Sequence, residues 1–78
     1  MIRLYRFDGC PFCDTVEEAL AAMALPWEEV EVDRRDRSEV RRLSGQPLVP
    51  IIVDEDRVIA DSRAIVRYLR ERYGRGVH

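Results

Sequence analysis

Ile2–Phe7 alternates apolar and basic side chains, IRLYRF, and the pattern breaks at Asp8-Gly9-Cys10-Pro11 into a helical repeat. No other stretch limits the fold as much. The alternation is that of a strand, central in its sheet if both faces are covered. Pro11 suits the first turn of a helix, where a missing N–H leaves nothing unpaired. Val16, Leu20 and Met23 fall at i, i+4 and i+7 and give that helix one apolar stripe, with Glu17 and Glu18 on its wet side and Pro26 at its end.

The rest of the chain continues in short units. Trp27–Asp33 reads WEEVEVD, a second strand with one wet face. Asp36–Ser44 is a short helix carrying Val40 and Leu43, and Gly45 suits the left-handed position after it. Val49–Val53 is an almost wholly apolar third strand, Asp54–Arg57 a turn, and Val58–Ala60 a short fourth strand. Asp61 or Ser62 can cap a last helix whose stripe includes Ile65, Leu69 and Tyr73 and which ends at Gly74. The expected order is β-α-β-α-β-β-α. Its first three elements form a parallel βαβ unit, and its last two strands a hairpin. The fold class is α/β: a four-stranded mixed sheet covered by three helices, in one domain over residues 1–74, with 75–78 as a loose tail.

Composition removes several functions. The 13 basic residues, all Arg, nearly balance 15 acidic ones, for a net charge of −2, which argues against a nucleic-acid surface. No apolar run approaches the roughly 18 residues a membrane-spanning helix needs. MIRLYRFDGC lacks the apolar core and cleavage site of a secretion signal. The expectation is a cytoplasmic chain, where thiols stay reduced and a close cysteine pair serves catalysis or metal binding better than stapling.

Both cysteines, Cys10 and Cys13, lie at the strand-to-helix break. Three readings compete. A zinc site wants about four Cys or His ligands, and the chain has two Cys and the single His78. Cys13 could also be a small core residue beside an incidental Cys10. In the redox reading, Cys10 opens the helix, where free N–H groups and the helix dipole favour a thiolate. Such positions lower a thiol pKa from about 8.5 to roughly 3.5–7.5. Cys13, one turn on and more buried, would then resolve the mixed disulfide that Cys10 forms. The setting in a βαβ unit favours this third reading.

On these residues the sequence resembles the thioredoxin superfamily, and most closely the glutaredoxins, over nearly its whole length. CPFC (Cys10–Cys13) is similar to the glutaredoxin Cys-Pro-Tyr-Cys, with Phe12 in place of Tyr. LVP (Leu48–Pro50) is similar to the family's Thr-Val-Pro, which implies a cis bond before Pro50 and a Val49 backbone that pairs with the cysteinyl part of glutathione. ADSRAIVRYL (Ala60–Leu69) resembles the acidic-Ser-x-Ala-Ile-x-x-Tyr-Leu segment of the glutathione transferase N-terminal domain. That likeness implies Asp61 and Ser62 as the holders of the γ-glutamyl end. The resemblance thus implies Cys10 and Cys13 as catalytic residues, and Pro11, Phe12, Val49, Pro50, Asp61 and Ser62 as the glutathione-binding set, with no metal.

Three departures stand out. Phe7 occupies the place of the glutaredoxin Lys, so any cation beside the thiolate would come from Arg6 or from elsewhere. The family's Gly-Gly is missing. Transfer to bulky electrophiles would need a helical second domain beyond this chain. One of Arg34–Arg37, Arg41–Arg42 or Gln46 could meet the glycyl carboxylate, while Trp27 and Tyr5 read as packing groups.

The implied protein is a monomeric glutaredoxin-like thiol–disulfide oxidoreductase with a part in electron transport and redox homeostasis. It would act on disulfides or glutathionylated thiols, with glutathione or a similar small thiol as cosubstrate and disulfide-containing proteins as partners. The alternatives are a dithiol donor reduced by thioredoxin reductase, of the ribonucleotide-reductase type, and a non-enzymatic glutathione or iron–sulfur module.

Overall fold

A computed structural model describes residues 1–74; the expectation for 75–78, His78 included, lies outside the described residues. The elements are β1 (Ile2–Arg6), α1 (Pro11–Ala22), β2 (Trp27–Glu31), α2 (Ser38–Ser44), β3 (Ile51–Asp54), β4 (Arg57–Ala60) and α3 (Ser62–Tyr73). The sheet order is β2-β1-β3-β4, with β1 and β2 parallel and the other pairs antiparallel. The expected order, the central place of the first strand and the closing hairpin are all present. This is a thioredoxin-like fold.

Alternation along the strands divides the core in two. Ile2 and Leu4 of β1 and Ile52 of β3 face α1 and α3, and pack with Val16, Leu20, Ile65 and Leu69. Tyr5 and Ile51 point the other way, toward Val40 of α2. Fully burying a Leu or Ile contributes about 1.5–3 kcal/mol, so these two clusters hold the three helices to the sheet. Trp27 packs at the edge of the first cluster and Tyr5 lies within the second, as packing groups.

Element ends differ from the pattern for local reasons. The first strand stops at Arg6, because Phe7 leaves the sheet to pack against the guanidinium groups of Arg34 and Arg37, 4.8 and 5.0 Å from its ring centre. The second stops at Glu31, before the turn in which the Asp33 carboxylate accepts the Arg35 N–H at 2.8 Å. Asp36 stays outside α2 and accepts the N–H and hydroxyl of Ser38. β3 begins only at Ile51, after a cis Val49–Pro50 bond. Gly45 closes α2 in the left-handed conformation, φ +84°, as expected. Glu17, expected on the wet side, is instead half-buried against Arg6, 3.0 Å from its Nε.

Candidate functional site

Cys10 sits at the junction of β1 and α1. Its extended backbone (φ −100°, ψ 105°) ends the connection from the strand, and Pro11 takes the first helical position. The preceding Gly9 has φ +81°, a conformation that suits a residue without Cβ. Arg34 donates to the carbonyl oxygen of Asp8, so the turn is held from the β2–α2 loop as well as from its own ends.

Two hydrogen bonds fix the pair. The Cys10 carbonyl accepts the Asp14 N–H at 3.2 Å, and the Cys10 sulfur accepts the Cys13 N–H at 3.3 Å. The thiol therefore fills the role a Ser or Asp side chain takes at a helix start. Cys13 is fully buried and Cys10 nearly so, and both are free thiols. Burial pushes the Cys13 thiol up to about 12, helped by its contact with the Cys10 sulfur. The expected ordering, with Cys13 the more buried of the two, is present.

Beside this junction lies a cleft of about 300 Å³. Phe12, Val49, Pro50, Asp61 and Ser62 line it, so five of the expected residues converge from α1, the loop before β3 and the start of α3. Pro11, Cys10 and Cys13 stand outside that lining. Phe12 and Leu48 are large apolar side chains left mostly exposed at its rim. Ser44, Leu48 and Ala60 also line it; Leu48 and Ala60 stand in the two segments that carry the resemblance, but none of the three is assigned a role from the sequence. Gln46, considered for the glycyl carboxylate, is in the lining; none of Arg34–Arg37, Arg41 and Arg42 is.

Asp61 departs from its expected capping role. It occupies the N-cap position of α3 with φ +77° and ψ 128°, but its exposed carboxylate makes no capping hydrogen bond. A non-glycine residue there is strained, by roughly 1–3 kcal/mol. Ser62, next along, is buried. Among the described residues Asp61 forms no ion pair, so an acidic group that does not cap its helix is left at the cleft edge.

Arg6 is engaged with several carboxylates, yet its charge still reaches the pair and works to lower the Cys13 thiol, against the larger effect of burial. Its side chain is mostly buried among Glu17, Asp8, Glu31 and Asp14, at 3.0, 3.3, 3.4 and 3.9 Å. Burial acts to lower its pKa, but the charge of Glu17, the hydrogen bond to Asp8 and the charges of Glu29 and Asp8 outweigh that and raise it, so Arg6 stays charged. Among the described residues, no three His, Cys, Asp or Glu side chains gather at metal-ligand spacing, and no helix is long and apolar enough to cross a membrane.

Four similarities bear on this geometry. Residues 4–76 match the family model described as glutathione S-transferase, N-terminal domain. An uncharacterised glutaredoxin-like 8.6 kDa protein from the rubredoxin operon of Clostridium pasteurianum is 32% identical over 75 residues, spanning 92% of this chain and 100% of that protein. Glutaredoxin 2 from Salmonella typhimurium, solved in complex with glutathione, aligns with a TM-score of 0.83 and 31% identity over 88% of this chain and 32% of its own. A glutathione transferase homologue from Drosophila mojavensis with bound glutathione aligns with a TM-score of 0.86 and 34% identity, over 95% and 36%. The chain spans about a third of each of these two solved structures and the whole of the clostridial protein.

Proposed function

The chain belongs to the glutathione S-transferase N-terminal domain family within the thioredoxin superfamily, and from that premise we propose that it is a glutaredoxin-type thiol–disulfide oxidoreductase using glutathione. The single observation that carries the reading is the pairing of the two cysteines. The nearly buried sulfur of Cys10 receives the Cys13 N–H at a helix start, while the Cys13 thiol is fully buried and held protonated. One sulfur is set to attack first and the other to wait.

In the proposed cycle the Cys10 thiolate attacks one sulfur of a substrate disulfide, forming a mixed disulfide and expelling the other sulfur as a thiolate that takes up a proton. Cys13 then gives up its proton and attacks the Cys10 sulfur. The second substrate thiol leaves and the Cys10–Cys13 disulfide forms. One glutathione thiolate opens that disulfide at Cys10, and a second attacks the resulting adduct, leaving oxidised glutathione and the dithiol. Two electrons pass from two glutathione molecules to one disulfide. For a glutathionylated thiol, Cys10 takes the glutathionyl group and one further glutathione removes it.

The cleft suits the cosubstrate. The main chain of Val49 offers an N–H and a C=O to the cysteinyl part, Asp61 a carboxylate to the α-ammonium, and Ser62 a hydroxyl to the α-carboxylate. Phe12 and Leu48 give an apolar rim on which a polypeptide substrate can also rest. The reading extends to a reducing, cytoplasmic setting, where the dithiol is the resting form.

The test is turnover of a glutathione mixed disulfide with glutathione and glutathione reductase, run beside a thioredoxin reductase arm. Cys10→Ser should abolish turnover. Cys13→Ser should hold one glutathione per chain by mass and retain activity on glutathionylated thiols while losing it on dithiol-requiring disulfides. Unchanged turnover in Cys10→Ser would overturn the reading, and activity with thioredoxin reductase alone would move it to the donor type.

A further inference from the structure

A second cleft, of about 440 Å³, opens beside the first and is lined by Arg34, Arg35, Arg37, Ser38, Arg41 and Pro47. Among the described residues, no carboxylate lines it. Four arginines at one cleft are unexpected in a chain whose net charge is −2. The two clefts share a wall, because Pro47 lines one while its neighbours Gln46 and Leu48 line the other. The 46–48 segment therefore contributes to both clefts, with consecutive Cα atoms about 3.8 Å apart.

The four arginines divide by what they already do. Arg34 holds the Asp8 carbonyl, Arg37 donates to the carbonyls of Arg34 and Pro47, and both stack on Phe7. These two build the cleft. Arg35 and Arg41 make no side-chain hydrogen bond or ion pair among the described residues and are exposed. Two uncommitted guanidinium groups in an acid-free cleft are a site for carboxylates, which they can meet bidentately. A basic cleft elsewhere, along α1 and α3, is lined by Arg63, Arg67 and Arg70 but also by Glu71, which offsets part of its charge.

We infer that the Arg35–Arg41 cleft docks an acidic stretch of the polypeptide substrate, next to the cysteine being reduced, so that the protein selects disulfides or glutathionylated thiols flanked by Asp or Glu. This rests on the oxidoreductase reading and names the substrate class for it. An extended polypeptide advances about 3.3 Å per residue, so a side chain two to four positions from a cysteine held at the first cleft reaches the second. The charges act through encounter and orientation, and their effect fades as salt rises.

The experiment compares two glutathionylated peptides that differ only in Glu or Gln at the positions flanking the cysteine, beside the mixed disulfide of glutathione and 2-mercaptoethanol. For the native chain at low salt, kcat/KM should favour the Glu peptide by about tenfold, falling below about twofold at about 0.5 M salt. Arg35→Gln with Arg41→Gln should erase the preference while turnover of the small substrate stays within about twofold, which also reports that the fold is intact. Equal rates on the two peptides by an enzyme active on the small substrate would overturn the inference. So would a preference lost in Arg67→Gln with Arg70→Gln and kept in the first pair, or an equal loss on the small substrate, which would assign the cleft to glutathione itself. Inactivity of the native chain on the small substrate would instead overturn the oxidoreductase reading, and the substrate assignment with it.

Discussion

The main-chain N–H of Cys13 donates to the sulfur of Cys10, while the side chain of Cys13 is turned into the core. One residue thus serves its partner through its backbone and hides its own sulfur. Burial is the largest cause holding that thiol up to about 12, against the usual 8.5 or so in an unfolded chain. Above about pH 8.5 the unfolded state releases this proton and the folded state keeps it, so stability falls as pH rises. The slope approaches about 1.4 kcal/mol per pH unit and extends toward pH 12. Denaturant titrations at pH 8 and pH 10 should show this loss for the native chain and a smaller one for Cys13→Ala. In the folded protein, iodoacetamide should label Cys10 and leave Cys13 unlabelled. Matching pH slopes in the two proteins would contradict the assignment.

Asp61 combines a strained backbone with a carboxylate that caps nothing. Two substitutions separate these properties. Asp61→Asn tolerates the positive φ and removes the charge. It should leave the thermal midpoint nearly unchanged and raise KM for glutathione by about tenfold, which is about 1.4 kcal/mol of lost charge-assisted contact. Asp61→Gly removes charge and strain together and should gain roughly 1 kcal/mol of stability while showing the same loss in KM. If glutathione KM stays at the native value in both, Asp61 has no part in binding.

Gly9 precedes Cys10 with φ +81°, and a Cβ there would come within 2.9 Å of the Arg34 Nη2. The dihedral outweighs the contact, because the far end of an arginine moves easily. Gly9→Ala should cost about 1–2 kcal/mol from the left-handed backbone. Arg34→Ala in the same background should recover little of that loss. Full recovery of the urea midpoint in the double variant would show that the contact dominates.

Much of the fold is legible in the sequence, because a short apolar–basic stretch gives way to a 3.6-residue repeat from Ile2 to Leu20, and a short apolar run gives way to one from Val58 to Leu69. The cysteine pair is legible for the same reason: the break in period puts Cys10 at a helix start. What escapes is set by contacts distant along the chain. Phe7 reads as the last residue of a strand, and only the Arg34 and Arg37 side chains, some thirty residues on, draw it out of the sheet. Arg34 in turn reads only as one of several arginines able to meet a carboxylate. Ser44 and Ala60 carry no local signal and enter the cleft through the packing of α2 and β4 around the Val49–Pro50 loop. Asp54 is the sharpest case, since an acid beside Glu55 and Asp56 reads as an exposed turn yet is buried.

The burial of Asp54 has a specific cause and a measurable consequence. Its Oδ2 accepts the hydroxyl of Tyr68 at 2.7 Å and that of Tyr73 at 2.5 Å, both from α3, with the Arg72 Nε at 3.8 Å. Burial alone would raise the carboxyl pKa. The two hydroxyls, Arg72 and the N-terminal ammonium outweigh it and hold the group below the usual 3.8. Burial and the Asp54 charge push the Tyr68 phenol up to about 12. Asp54→Ala would leave two part-buried hydroxyls without their acceptor and should cost about 2–4 kcal/mol at pH 7. A carboxylate with a lowered folded pKa stabilises above its unfolded value, near 3.9, and that stability is lost as pH falls through the folded pKa. The difference in urea midpoint between native and Asp54→Ala should therefore shrink below pH 4. In near-ultraviolet absorbance, Tyr68 should ionise at lower pH in the variant than in the native chain. An unchanged gap at pH 3, together with an unshifted tyrosine titration, would mean that the carboxylate is not what anchors the end of α3 to the sheet.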